Sequence, residues 1–140
     1  MSFTLAKRYS RQDARNARST LFVFGDNMAR AGFGGQAKEM RGEINAVGIP
    51  TKWRPARDEG AYFADADFEL TRDGDGWALD TSPVQKAIDA AFDQLEAHRK
   101  AGGSVVWPTD GVGTGLAALQ TRAPAIYAYI AFRRDRLETL

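Results

Sequence analysis

Apolar residues change their spacing several times along this chain. Leu21-Phe22-Val23-Phe24 and Val105-Val106-Trp107 are short, uncharged, β-branched and aromatic runs. That composition predicts buried strands over Thr20–Phe24 and Ser104–Trp107. From Val84 the spacing becomes helical, with Val84, Ile88, Ala91, Phe92 and Leu95 three or four residues apart up to about Lys100. Thr81 or Ser82 caps this helix, Pro83 suits its first turn and Gly102-Gly103 closes it. A last helix is predicted from about Pro124 to Leu137, carrying Ile126, Tyr127, Ile130 and Phe132, with Tyr127 and Phe132 read as core. Shorter elements fill the first half. These are an edge strand at Phe3–Leu5, a polar helix over Arg11–Ala17 behind a Ser10 cap, a helix over Gln36–Arg41 stopped by Gly42, and a strand over Ala46–Pro50.

Tyr62–Thr71 alternates in part, Asp73-Gly74-Asp75-Gly76 is a turn and Trp77-Ala78-Leu79 returns from it, which predicts a hairpin. The element order then implies an α/β fold with helices on both faces of the sheet. With the hairpin as antiparallel edge pairing, the expected architecture is a single three-layer α/β/α domain over 1–140 with a mixed central sheet. Residues 58–80 form an acidic hairpin insertion in it.

Composition narrows the function classes. With 140 residues and 44% hydrophobic content the chain suits one domain with a real core. It has no cysteine, which removes disulfides, thiolate metal sites and Cys nucleophiles. Its one histidine, His98, sits near a helix C-terminus, where a cation is favoured, so neither a triad nor a His-rich metal site is expected. No metal and no cofactor is expected. No apolar run reaches the roughly 18 residues of a membrane span, and the N-terminus lacks a signal-like stretch. The expectation is a cytoplasmic protein with no membrane partner. Net charge is +1, but residues 1–57 carry eleven Lys/Arg against four Asp/Glu and residues 58–80 carry one against eight. The basic first half either draws in an anion or is a solvated surface that the acidic hairpin partly cancels.

The candidate chemistry lies where each buried strand runs into a glycine-rich loop. Glycine lets a ligand approach the main chain, and amides ahead of a helix attract anions. After Phe24 come Gly25-Asp26-Asn27, and then Gly34-Gly35-Gln36. Asp26 offers an acceptor for a base amino group or a ribose hydroxyl, and Asn27 offers donors and an acceptor for a ribose or a water. Alternatively, either residue caps a turn. After Trp107-Pro108 come Thr109-Asp110-Gly111-Val112-Gly113-Thr114-Gly115, where alternate glycines and two hydroxyls suit a phosphate cradle. This is neither a Walker A loop nor a dinucleotide fingerprint. Asp110 is a general-base candidate or a turn residue. In Thr51-Lys52-Trp53, Lys52 is a candidate phosphate partner and Trp53 a candidate stacking ring, against an exposed lysine and a tryptophan covering a core edge.

These loops resemble those of the macrodomains, which bind ADP-ribose, and the chain closely resembles small macro-like proteins of phages and bacteria. The resemblance spans about residues 20–135 apart from the acidic hairpin. Phe24-Gly25-Asp26-Asn27 through Gly34-Gly35-Gln36-Ala37 looks like the family's Asn-containing loop and first glycine loop. Trp107-Pro108 through Gly115-Leu116, with Ala123-Pro124 and Tyr127, looks like its second, diphosphate-binding loop. The resemblance implies a macro-like fold. It also implies that Asn27, Gly34, Gly35, Gln36, Gly111, Gly113, Thr114 and Gly115 grip a distal ribose and a diphosphate. Two departures stand out. Many hydrolytic macrodomains carry an Asp where this chain has Gln36, and a second hydrolase subgroup uses a Lys with an Asp where this chain has Ala117.

The sequence-based expectation is therefore a domain that binds ADP-ribose or a related nucleotide. Its Gly25, Gly34, Gly35, Gln36, Lys52, Thr109, Gly111, Val112, Gly113, Thr114 and Gly115 touch the ligand. As an ADP-ribosyl hydrolase or ADP-ribose phosphatase it would draw on Asp26, Asn27 and Asp110. The alternatives are a non-catalytic sensor or sponge of a nucleotide signal in phage–host conflict, and a nucleic-acid or protein interaction module. Nucleic acid is disfavoured because only Trp53 offers a stacking ring beside the basic charge. The sequence leaves the oligomeric state open.

Overall fold

The computed structural model describes residues 2–68, 72–73, 76–77, 82–115 and 117–140. Four strands form one sheet: β1 (Phe3–Ala6), β2 (Thr20–Asp26), β3 (Ala46–Pro50) and β6 (Ser104–Pro108). Their order is β1-β6-β2-β3 and every pair is parallel, in register at Phe3↔Val105, Thr20↔Ser104 and Phe22↔Ala46. The central sheet is thus parallel where a mixed one was expected. The antiparallel pairing belongs to a separate two-stranded ribbon, β4 (Arg72–Asp73) with β5 (Gly76–Trp77). The turn residues Gly74 and Asp75 and the returning Ala78 and Leu79 lie outside the described residues.

The helices are α1 (Arg11–Asn16), α2 (Ala37–Met40), α3 (Pro83–Lys100), α4 (Leu119–Arg122) and α5 (Pro124–Thr139). Crossover handedness decides their faces. The chain moves along the sheet in one direction from β1 to β2 to β3, then reverses to reach β6. Right-handed crossovers of opposite direction put their helices on opposite faces. The side chains of β2 divide accordingly. Phe22 and Phe24 pack with Tyr9, Ala14, Ala37 and Met40 of the α1–α2 side. Leu21 and Val23 pack with Ile88, Phe92 and Leu95 of α3 and with Ile126 and Ile130 of α5. Each fully buried side chain of this second layer contributes roughly 1.5–3 kcal/mol, so α3 and α5 hold most of the core.

Local chemistry sets the helix ends. Ser10 Oγ accepts from Asp13 N while Asp13 returns a bond to Ser10 N, a complete capping box. Ser82 caps α3 through Gln85 N at 3.0 Å; Thr81, the other candidate cap, lies outside the described residues. α5 carries a buried arginine in its apolar stripe. Arg133 reaches Asp89 at 2.8 Å, Asp93 at 3.0 Å and Glu96 at 3.4 Å on α3. Phe132, read from the sequence as core, is exposed because that stripe runs through Ile126, Ile130, Arg133 and Leu137 instead.

Residues 62–68 depart from the expected strand. Two 3-10 turns occupy Glu59–Ala61 and Asp65–Phe68. Acidic side chains here take up backbone donors that a ladder would use: Asp67 accepts from Ala64 N, and Asp65 accepts from Ala125 N at the start of α5. The segment docks on α5 through Phe68 against Tyr129, with ring centroids 5.0 Å apart. Among the described residues no helix is long and apolar enough to cross a membrane.

Candidate functional site

The loops after β2 and β6 start side by side and leave toward opposite faces, one to α2 and the other to α4 and α5. Such a divergence opens a crevice at the carboxyl edge of a parallel sheet. A cleft of about 620 Å³ lies there. The first loop lines it with Gly25, Asp26, Asn27 and residues 31–37, the second with Pro108, Gly111, Gly113, Thr114, Gly115 and Ala117, and the segment after β3 with Thr51, Lys52, Pro55, Ala56 and Arg57. Two glycine loops some eighty residues apart in sequence therefore face one cavity, and its size falls within the ~300–1,000 Å³ usual for small ligands.

The glycines have definite geometric reasons. Gly111 and Gly113 hold φ of +85° and +80°. A Cβ at Gly113 would sit 2.8 Å from Leu119 and 3.1 Å from Thr51, so the second loop packs flush on α4 and on the end of β3. A Cβ at Gly25 would lie 3.8 Å from Gly113 N, which shows how closely the two loops approach. Gly115 has open space around its Cβ position. Among the described residues, the amides of Val112, Gly113, Thr114 and Gly115 have no hydrogen-bond partner, whereas Gly111 N closes a turn onto Pro108 O at 2.9 Å. Thr114 Oγ1 donates to Asp110 O at 2.6 Å and braces the loop.

The acids and amides expected to do chemistry are occupied. Asp26 is buried, and its two carboxylate oxygens take Arg41 at 2.6 Å and Arg30 at 3.0 Å. Its Oδ1 also accepts from Asn27 N. Gly48 leaves the room for this carboxylate, since a Cβ there would meet Asp26 Oδ2 at 2.6 Å. The Asn27 side chain donates to Ala31 O at 2.8 Å and accepts from Ala31 N, closing the loop on itself. Gln36 turns its amide to the backbone of Tyr9, accepting from Tyr9 N and donating to Tyr9 O. Asp110 and Thr109 are exposed and line a separate hollow of about 250 Å³ with Leu5, Trp107, Tyr127 and Arg134. Val112 is buried in the core and lines that same hollow. Of the residues the sequence singled out, the cleft thus collects Gly25, Asp26, Asn27, Gly34, Gly35, Gln36, Lys52, Gly111, Gly113, Thr114 and Gly115. It leaves out Thr109, Asp110 and Val112.

Cations line the cleft in excess. Among the described residues that line it, Asp26 is the one acid, against Arg41, Lys52 and Arg57. Lys52 is buried, not exposed. Its Nζ donates to Ala56 O and lies 4.5 Å from the centroid of the Tyr62 ring. Desolvation, followed by the charges of Arg57 and Arg122, holds its pKa below the usual lysine value. Trp53 faces away from this chemistry: it packs edge-on to Phe63 and donates to Asp67. Sequence reasoning missed Arg41, which donates to Gly32 O at 2.8 Å and Ala31 O at 3.0 Å as well as to Asp26. It also missed Phe33 and Arg57. The signal available was the parallel sheet itself, which brings the segment after β3 to the same edge as both loops.

A family model matches residues 4–133. The chain belongs to DUF7831, a family of unknown function. No curated protein and no solved structure matches the chain. The residues matched run from β1 into α5, so the whole cleft lies within the family's span.

Proposed function

We propose that this DUF7831 chain binds ADP-ribose, or a related diphosphate-ribose nucleotide, between its two glycine-rich loops in a macro-like arrangement. The observation that carries the reading is the convergence of both loops, with Arg41, Lys52 and Arg57, on one cleft at the carboxyl edge of the sheet. Unpartnered glycine amides suit the diphosphate, and the excess of cations suits its charge. The resemblance of both loops to those of macrodomains supports the ribose-diphosphate assignment over other phosphate ligands.

Binding without hydrolysis is the form of this reading that the side chains favour. A water at the ribose needs a carboxylate or amide free to orient it. Asp26 is held by two arginines, Asn27 is closed on Ala31 and Asp110 lines a different hollow. This supports a sensor or sponge of a nucleotide signal ahead of a hydrolase or phosphatase. A thermal-shift series tests it: ADP-ribose raises the melting temperature in a concentration-dependent way, and ADP or ribose 5-phosphate alone raises it less. Equal, negligible shifts with all three would overturn the proposal.

A further inference from the structure

We propose that the nucleotide taken by this cleft is presented at the end of a single-stranded nucleic acid, whose backbone lies on a ring of cations around the cleft mouth. The inference rests on the ligand reading above and adds the partner that carries the ligand.

Lys7, Arg8, Lys38 and Arg57 are exposed, and none has an ion pair among the described residues. Their placement follows from the chain path. Ala6 O, at the end of β1, accepts from Thr109 N of the second loop at 3.0 Å. Tyr9 N bonds Gln36 at the end of the first loop at 3.3 Å. Lys7 and Arg8 therefore bridge the two glycine loops on the carboxyl edge. Lys38 stands in the first turn of α2, directly after the first loop, and Arg57 lines the cleft from the β3 side.

Several charges elsewhere are paired within the chain, although Arg99 and Lys100 at the end of α3 have no ion pair among the described residues. Asp58 pairs with Arg54, Glu59 with Arg122, and Asp89, Asp93 and Glu96 with Arg133. Four exposed cations without an ion pair nevertheless gather about the two glycine loops. Phe33 stands in the same place, 66% exposed, on the cleft lining between Gly32 and Gly34. A Cβ at Gly32 would be 2.7 Å from Pro55, so the backbone just before Phe33 adjoins Pro55, and Phe33 shares the cleft lining with Pro55, Ala56 and Arg57. An exposed ring among unpaired cations is the composition that stacks bases and tracks a phosphate backbone. Trp53, the candidate stacking ring of the sequence, is half-buried against Phe63, and Phe33 takes its place.

The test is fluorescence anisotropy with a labelled single-stranded oligonucleotide of about twelve nucleotides that carries an ADP-ribosyl group at its unlabelled end, alongside a separate titration with free ADP-ribose. We expect the oligonucleotide to bind and ADP-ribose to compete with it at the cleft. With four phosphate contacts, affinity should fall about 50-fold between about 50 and 200 mM salt. The triple variant Lys7→Glu, Arg8→Glu, Lys38→Glu should lose at least about tenfold in oligonucleotide affinity with ADP-ribose affinity changed by less than about twofold. Phe33→Ala should weaken the oligonucleotide with little change in salt slope. Absent oligonucleotide binding at low salt, an unaffected triple variant, or equal competition by polyglutamate would overturn the inference. Failure of free ADP-ribose to bind would instead strike the ligand reading, so the two failures are distinct.

Discussion

Asp26 Oδ1 lies 2.6 Å from the Arg41 guanidinium, and that contact ties the end of β2 to the glycine loop that follows it. Arg41 also holds the carbonyls of Ala31 and Gly32, so one guanidinium sets the position of the loop wall. Breaking a buried pair leaves a charge without compensation, which costs about 3–5 kcal/mol. We expect Asp26→Ala to lower the unfolding free energy by about that amount in a urea titration. A catalytic Asp26 with no structural role would give a variant of unchanged stability.

Gly113 and Gly115 separate folding from binding within one loop. Gly113 needs positive φ and contact room, whereas Gly115 borders open space. Gly113→Ala should therefore destabilise the protein by about 2–4 kcal/mol, from backbone strain and overpacking together. Gly115→Val should stay within about 0.5 kcal/mol of the wild type yet reduce ADP-ribose affinity at least about tenfold by filling the cleft. Thermal melts and calorimetric titrations on both variants check the division.

Lys52 gives the pH dependence. A lysine whose folded pKa lies below its unfolded value binds fewer protons when folded. It therefore costs stability at neutral pH, and the cost fades as pH rises through the lowered pKa toward the usual lysine value. The stability difference between wild type and Lys52→Met should accordingly move in favour of the wild type as pH rises through that window. Affinity for an anionic ligand should fall over the same window as the ammonium loses its proton. Melts and titrations from neutral to alkaline pH check both signs.

Asp110 provides a control. It is exposed and lines the smaller hollow, so Asp110→Ala should leave both ADP-ribose affinity and melting temperature near those of the wild type. A marked loss of affinity would place Asp110 at the ligand.

Most of the fold was legible because its signals are local. The uncharged runs Leu21–Phe24 and Val105–Trp107, the Ser10 and Ser82 caps and the Val84–Leu95 stripe each declare an element within a few residues. What failed depended on distant partners. Residues 62–68 became turns because Asp65 and Asp67 found backbone donors, one of them on α5. Phe132 lies on the outer face because Arg133 takes the inner position, an exchange made possible by Asp89, Asp93 and Glu96 on α3. The same distinction divides the site. Glycine positions can be read from sequence since backbone access depends on glycine itself. The occupation of Asp26, Asn27 and Gln36 cannot, because their partners Arg30, Arg41, Ala31 and Tyr9 are set by loop closure.

The most direct measurement of the central claim is calorimetric titration of the purified chain with ADP-ribose, run in parallel on Gly115→Val. The account predicts one site per chain on the wild type, weakened at least about tenfold in a variant that melts at the same temperature. No binding heat and no shift in melting temperature with the wild type, or equal affinity in both proteins, would contradict it.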